Sequence, residues 1–353
     1  MKKNIAMVLA LLLTLCLGVT AVAQTYDYAL VTDIGKIDDK SFNQGAWEGL
    51  LSYTEGRDLP SNYYQPSAQS TDEYMVNIEQ AINSGAKYVV TPGFLFEESI
   101  FIAQDMYPDV KFILLDGVPH NADYSEFRTN ENVVSVIYAE QQAGYLAGYA
   151  AVKDGYKSFG FMGGMAVPAV IRFGYGFVQG VDAAAKEIGL ESVDLKYHYT
   201  GGFMATPEAQ TLAATWYNDG VEVIFACGGA VGNSVMAAAE ANNGKVIGVD
   251  IDQSVESETV ITSAMKGLSA SVLWALEEDE KGTFPGGQNL VMGADKAGVS
   301  LPMETSRFNT FSQADYDAVY ATLANNEITL VTDTDVASAT DITTEVVKVT
   351  IVE

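Results

Sequence analysis

Short apolar runs that stop abruptly and give way to amphipathic helices recur along this chain, and that alternation restricts it to parallel sheets built from βαβ units. The first run, Tyr28 to Val31, is followed by the breakers Asp33 and Gly35 and by a helix restart at Ser41. Ser41 with Gln44 three residues on has the spacing of a capping box, and Ala46, Trp47, Leu50 and Leu51 supply an apolar face at helical period. Phe42 and Asn43 therefore fall in the first helical turn. An aromatic ring beside Asn, Ser and three Asp is poor core material and suits the lip of a pocket.

The same pattern continues. Asn62 to Gln65 reads as a strand, and a helix follows from Asp72 with Met75, Ile78 and Ile82 on one face and Gly85 as its stop. Lys87 to Thr91 is a strand, Glu97 to Met106 a helix, Lys111 to Leu115 a wholly apolar strand, and Val133 to Ile137 closes the set. A helix follows in which Ala143, Gly144, Ala147 and Gly148 are spaced for close backbone approach. The alternation then restarts with strands at Ser158 to Met162, Val193 to Tyr199, Val221 to Ala226 and Val246 to Val249. The helices between them span Val167 to Ile188, Pro207 to Asn218 and Gly232 to Asn242. Two successive sets imply two lobes. Val260 to Ser263 comes next, then a helix from Met265 to Glu277 that Lys266 would open, a turn at Gly282 to Gly287, and a helix at Ala314 to Leu323. Residues 331–353 are polar until VVKVTIV and read either as an added edge strand or as a loose tail.

Polar, aromatic and glycine residues cluster where these strands stop. Asp33, Asp116, Gly201, Gly202, Phe203, Gly228, Gly229, Asp250 and Asp252 all follow an apolar run. Ligands of open α/β sheets bind outside the carboxyl ends of the strands, so these residues would line one cleft if both sheets face it. Phe42 and Phe203 suit a flat ring, and carboxylates suit vicinal hydroxyls because an ionised acid offers acceptors only. Lys266 would balance the acids while donating to a hydroxyl.

Composition excludes several classes. A formal net charge of −27 repels nucleic acid and anionic lipid. The two histidines, His120 and His198, show no HExxH or paired-ligand spacing, and Met162 to Met165 lack the phosphate-loop fingerprint, so neither a metal site nor a phosphate site is expected. Cys227 beside two glycines reads as a small packed residue rather than a nucleophile, and catalysis is not expected. At the start, Lys2 and Lys3, an apolar run from Ile5 to Val19, and Ala21, Val22, Ala23 before Gln24 have the order of a cleaved export signal. Cleavage leaves Cys227 as the lone cysteine, so no intrachain disulfide can form.

The stretch DIGKIDDKSFNQGAWEGL resembles the signature of the basic membrane protein family, also called PnrA-like, whose members are nucleoside-binding components of ABC transporters. Asp33, Gly35, Asp39, Lys40, Ser41, Phe42, Asn43, Trp47 and Gly49 stand in register with it, and the likeness, including MGGMAVPAVIRFGYGF, runs from about Tyr28 to Leu330. The resemblance implies a type I periplasmic binding fold of two doubly wound lobes with hinge crossovers near Ile137, near Asp250 and at Gly282 to Gly287. The expected division is 24–137 with 252–285 in one lobe, 138–251 with 286–330 in the other, and an extension at 331–353. It also implies that Phe42 and Phe203 stack on a purine base, although GGF stands where the family has GSF or GSW. Asp116 in LLDG is matched to the base edge, Asn43 to a polar ligand contact, Asp250 and Lys266 to the ribose, and Gly228 and Gly229 to a turn against the ligand. Asp33 and Asp39 match positions that either touch ligand or shape the loop.

The expected function is capture of a nucleoside by a monomer without cofactor and its delivery to a membrane permease. A pentose or sugar-like signal on the same fold, an exported nucleoside-processing enzyme and a receptor for a sensor kinase are the competing readings. Many family members are lipoproteins; here Leu15 stands where such signals place a small residue, so Cys16 is not expected to carry a lipid.

Overall fold

The computed structural model describes residues 25–353; the expected export signal and Cys16 lie outside them. The first sheet contains strands β1 (Tyr28–Val31), β2 (Ser61–Tyr64), β3 (Tyr88–Pro92), β4 (Lys111–Leu115), β5 (Val133–Tyr138) and β11 (Gln288–Met292) in the order β11-β5-β4-β3-β1-β2, all parallel. The second contains β6 (Ser158–Gly163), β7 (Val193–Tyr199), β8 (Val223–Cys227), β9 (Lys245–Asp250), β10 (Val260–Lys266), β12 (Val299–Ser300) and β13 (Val347–Ile351) in the order β12-β10-β9-β8-β6-β7-β13. Only the β10–β12 pair is antiparallel among the described strands. Each sheet therefore contains the doubly wound order 2-1-3-4-5, with its topological switch point beside β1 or β6. The interior strands are apolar on both faces because helices cover both, as parallel sheets require.

The helices are α1 (Phe42–Thr54), α2 (Thr71–Asn83), α3 (Glu97–Met106), α4 (Glu140–Lys153), α5 (Pro168–Glu187), α6 (Pro207–Asn218), α7 (Val231–Asn242), α8 (Leu268–Glu280) and α9 (Gln313–Ala324). Of the expected face of α2, Ile78 is fully buried and Met75 and Ile82 pack half-buried against the same core, while Tyr74 and Ala81 are buried beside them. The small residues of α4 do permit close approach. A Cβ at Gly144 would lie 2.1 Å from the Phe173 carbonyl oxygen of α5, so these backbones meet only because glycine stands there.

Two expectations about the chain path are corrected. Strand β10 continues the second sheet beside β9, joined to it by a loop rather than a helix, so residues 260–266 belong to the second lobe and not, as expected, to the first. Strand β11 joins the first sheet beside β5, so no crossing occurs at Gly282 to Gly287. The chain crosses instead after β5, after β10 and after β11, and these three passages run side by side. Ala139 N–H donates to Met292 O, Gly298 N–H to Gly293 O, and Gly267 N–H to Gly298 O. Lys266 consequently ends a strand and does not open a helix. The extension is not loose: β13 extends the second sheet on β7, and the Asp182 carboxylate accepts the backbone N–H groups of Glu345, Val346 and Val347.

Candidate functional site

The carboxyl ends of β1, β3 and β4 face those of β8, β9 and β10 across a cavity of about 300 Å³. The nine residues expected to bind ligand border it: Asp33, Phe42, Asn43 and Asp116 from the first lobe, Phe203, Gly228, Gly229, Asp250 and Lys266 from the second. Gly201, Gly202 and Asp252, also expected at the cleft, do not; the Asp252 carboxylate accepts from Ser254 N–H at 2.9 Å and from Thr305 Oγ1 at 2.6 Å and so ties down the β9–β10 loop. A volume near 300 Å³ is at the small end of ligand pockets and suits one compact solute.

The opening loop is built differently from the expected capping box. Ser41 does not cap α1. Its hydroxyl donates across the lobes to Asp250 Oδ2 at 2.5 Å, while Gln44 donates to Glu48. Asp39 takes over the cap: Oδ1 accepts the N–H groups of Ser41 and Gln44, and Oδ2 accepts those of Asn43. Asp33 Oδ1 accepts from Gly35 N–H and from Asn43 Nδ2, and Asn43 Oδ1 accepts Asp33 N–H. Both hydrogens of the Asn43 amide are thereby engaged by protein, so Asn43 holds the loop and has only a remaining acceptor lone pair to offer a solute. Asp33 keeps its second oxygen.

Burial pushes the Asp33 carboxyl up to about 6, against the opposing pull of its hydrogen bonds from Asn43 and Gly35. A carboxyl raised from 3.8 to about 6 supplies stability that is complete below about pH 4 and disappears as pH rises through about 6. Asp33→Asn keeps the acceptor toward Gly35 and removes this titration. The parent is therefore expected to lose on the order of 2–3 kcal/mol from this group between pH 4 and pH 7, and the variant to show a flatter profile in urea unfolding at stepped pH.

The floor of the cavity is a cluster of buried charges. Lys266 Nζ bonds Asp116 Oδ2 and lies 3.5 Å from Glu140 Oε1 and 3.6 Å from Asp250 Oδ1. Burial alone would lower the lysine, but the three acids hold it above its ordinary value. Burial raises both Asp116 and Asp250, with Lys266 opposing the rise and Glu140 adding to it. Asp116 Oδ1 has no hydrogen-bond partner among the described residues. Asp116 and Asp250 both adopt left-handed φ, 60° and 69°, which Asp tolerates better than bulky residues. Asp250 faces Ser41 and Lys266 from that turn.

The two rings come from opposite lobes. The Lys266 ammonium lies over the Phe42 ring, 4.6 Å from its centroid, and the ring borders the cavity. Phe203 rests on the backbone of the β6 switch-point turn. A Cβ at Gly164 would lie 2.5 Å from Phe203 Cδ1, and one at Gly228 would lie 2.6 Å from Gly164 N, so the ring reaches the cavity wall only over bare glycine. Gly229 adopts a left-handed φ of 54° in the following turn.

Sequence reading missed Glu140 and Arg172. Glu140 is wholly buried beneath Lys266 and pairs with Arg172 Nε at 2.6 Å. It obeys the same rule as the residues that were found, an acid directly after an apolar strand, VVSVIYA. Arg172 is the one charge in VPAVIRFGYGF.

Two doubly wound lobes meeting over one small, carboxylate-floored cleft define the type I periplasmic binding class of fold. Solved structures agree. An ABC transporter solute-binding protein of Aeropyrum pernix superposes with a TM-score of 0.73 at 23% identity, covering 87% of this chain and 93% of that one. Another, of Conexibacter woesei, gives 0.68 at 24% identity over 86% and 98%. The family profile described as Bmp, ABC transporter substrate-binding protein PnrA-like, matches residues 27–332. The chain belongs to this family of ABC transporter substrate-binding proteins. It is 30% identical to a Lactococcus lactis protein named ABC transporter nucleoside-binding protein BmpA, over 79% of this chain and 82% of the relative. It is 27% identical to basic membrane protein B of Borreliella burgdorferi, over 85% and 88%. No helix among the described residues is long and apolar enough to cross a membrane.

Proposed function

We propose that the protein captures a purine nucleoside between its lobes and passes it to the permease of an ABC transporter outside the cytoplasm. The observation that carries this reading is the meeting of Phe42 from one lobe and Phe203 from the other at a cavity of about 300 Å³ whose polar wall is largely carboxylate. A flat heterocycle covers phenyl rings well, and each stacked face adds about 1–3 kcal/mol. The free oxygen of Asp116 accepts an N–H of the base edge, while Asp250 and Lys266 take the ribose hydroxyls as acceptor and donor. The name of the Lactococcus relative agrees with this class of solute. A bound solute that touches both lobes favours the closed arrangement by its differential affinity, with the three parallel crossings at Ala139, Gly267 and Gly293 as the hinge.

Phe42→Ala is expected to weaken nucleoside binding by about 1–3 kcal/mol, and Phe203→Ala by a similar amount, with the melting temperature little changed. Calorimetry with each variant checks this. Unchanged affinity with a strongly lowered melting temperature would assign the ring to the core. A pentose could satisfy the acids and the lysine but leaves both rings little to cover. Solute released by denaturing protein purified from its own cells separates the two: a purine absorption band supports the nucleoside, and carbohydrate without it supports the sugar. Recovery of intact nucleoside after prolonged incubation, with no free base, distinguishes binding from processing.

A further inference from the structure

We propose that Asp333, Arg172 and Glu140 form a buried charge relay that positions the Lys266 ammonium, so that the C-terminal extension sets the geometry of the ligand site. The inference rests on the nucleoside reading only for one of its probes. Glu140 follows the crossing at Ala139 directly and is fully buried, with Oε1 3.5 Å from Lys266 Nζ and no hydrogen-bond partner for that oxygen among the described residues. Its Oε2 accepts from Arg172 Nε at 2.6 Å, and Arg172 Nη1 reaches Asp333 Oδ1 at 3.4 Å. The side chains of Arg172 and Asp333 are only 14% and 15% exposed.

Three acids around one ammonium would divide it. A bare Glu140 would draw Lys266 away from Asp116 and Asp250, the two acids that border the cavity. Arg172 neutralises Glu140 and so leaves the ammonium to those two. A guanidinium held at one edge can still rotate; bonding Glu140 through Nε and Asp333 through Nη1 fixes its plane. Asp333 is held in turn because Gln179 exchanges two hydrogen bonds with Val331, at 2.8 and 3.0 Å. The matched family segment ends at residue 332, so the last member of the relay comes from a part of this chain beyond it. These three are positioning residues: among the described residues none of them borders the cavity.

The test uses the whole exported chain with lysine-selective isotope labelling. In the ligand-free protein the Lys266 ammonium resonance is expected to move in Asp333→Asn and to return in Asp333→Glu. Guanosine affinity, by calorimetry, is expected to fall about 3- to 10-fold in Asp333→Asn, and Asp333→Asn is expected to add nothing once Glu140→Gln is present. Asp182→Asn loosens the extension at Glu345 to Val347, away from the relay, and is expected to lower the melting temperature without moving the resonance or the affinity. An unmoved resonance in Asp333→Asn overturns the relay, as does an equal effect of Asp182→Asn and Asp333→Asn on resonance and affinity. A parent that binds no guanosine counts against the nucleoside reading, while the resonance still decides the relay.

Discussion

A Lys266→Met protein is expected to unfold with about 3–5 kcal/mol less stability than the parent at neutral pH. Removing one partner of a buried ionic cluster leaves the others uncompensated in a low dielectric, and that penalty exceeds the value of the pair itself. Here the orphaned groups are Asp116 and Asp250, buried around the same nitrogen, while Glu140 keeps its pairing with Arg172. The defect has a defined pH dependence. Lys266 in the parent is held above its ordinary value, so its contribution is complete throughout the range below that value. In the variant Asp116 and Asp250, already raised by burial, rise further above their unfolded values, and acids raised in this way supply stability at low pH that is lost as pH rises through their folded values. The gap between variant and parent should therefore widen from pH 5 to pH 8 in urea unfolding. A gap that is constant across that range would mean that the loss is one of packing and not of charge.

Asp116→Ala is expected to act on binding rather than on folding. Its buried Oδ1 has no hydrogen-bond partner among the described residues and is the acceptor we propose for the base edge, and truncating one partner of a buried charged hydrogen bond costs about 2–5 kcal/mol of affinity, roughly 30-fold or more. Stability should change much less, because the raised pKa of this carboxyl means that the fold already works against its burial as an anion. The alanine also frees Lys266 to approach Glu140 and Asp250. Calorimetric affinity and the melting temperature, measured on one preparation, separate the two effects. Asp116→Asn is the informative companion: it retains an acceptor oxygen, so a loss as large as that of alanine would assign the effect to charge.

Much of this was legible in the sequence for one physical reason. A parallel sheet buried on both faces demands apolar strands, and chemistry is excluded from them until they end. Asp33, Asp116, Cys227 and Asp250 mark those ends, and the strands they terminate fall within a few residues of their expected spans. What escaped notice has physical causes too. Ser41 and Gln44 satisfy the capping pattern, but Asp39 is a charged acceptor two residues upstream and outcompetes a hydroxyl for the same N–H groups, which frees Ser41 for the opposite lobe. The strand expected at Val260 to Ser263 runs on through Lys266, three residues past its expected end; Thr262 and Ser263 are buried in it, with Ser263 Oγ accepting Gln253 N–H. The crossing after β10 could not be read, since the β9–β10 connection has no helix to announce a parallel neighbour. The edge strand at Val347 to Ile351 was one of two open readings, and only its pairing with β7 decides between them.

Titration of the purified protein with inosine, guanosine, adenosine and ribose tests most directly whether the two rings and the carboxylates grip one flat, hydroxylated solute. One-to-one saturable binding of a purine nucleoside, at least about tenfold tighter than ribose and weakened by both Phe42→Ala and Phe203→Ala, is the expected result. Ribose binding as tightly as any nucleoside, or nucleoside binding indifferent to both phenylalanines, would contradict it.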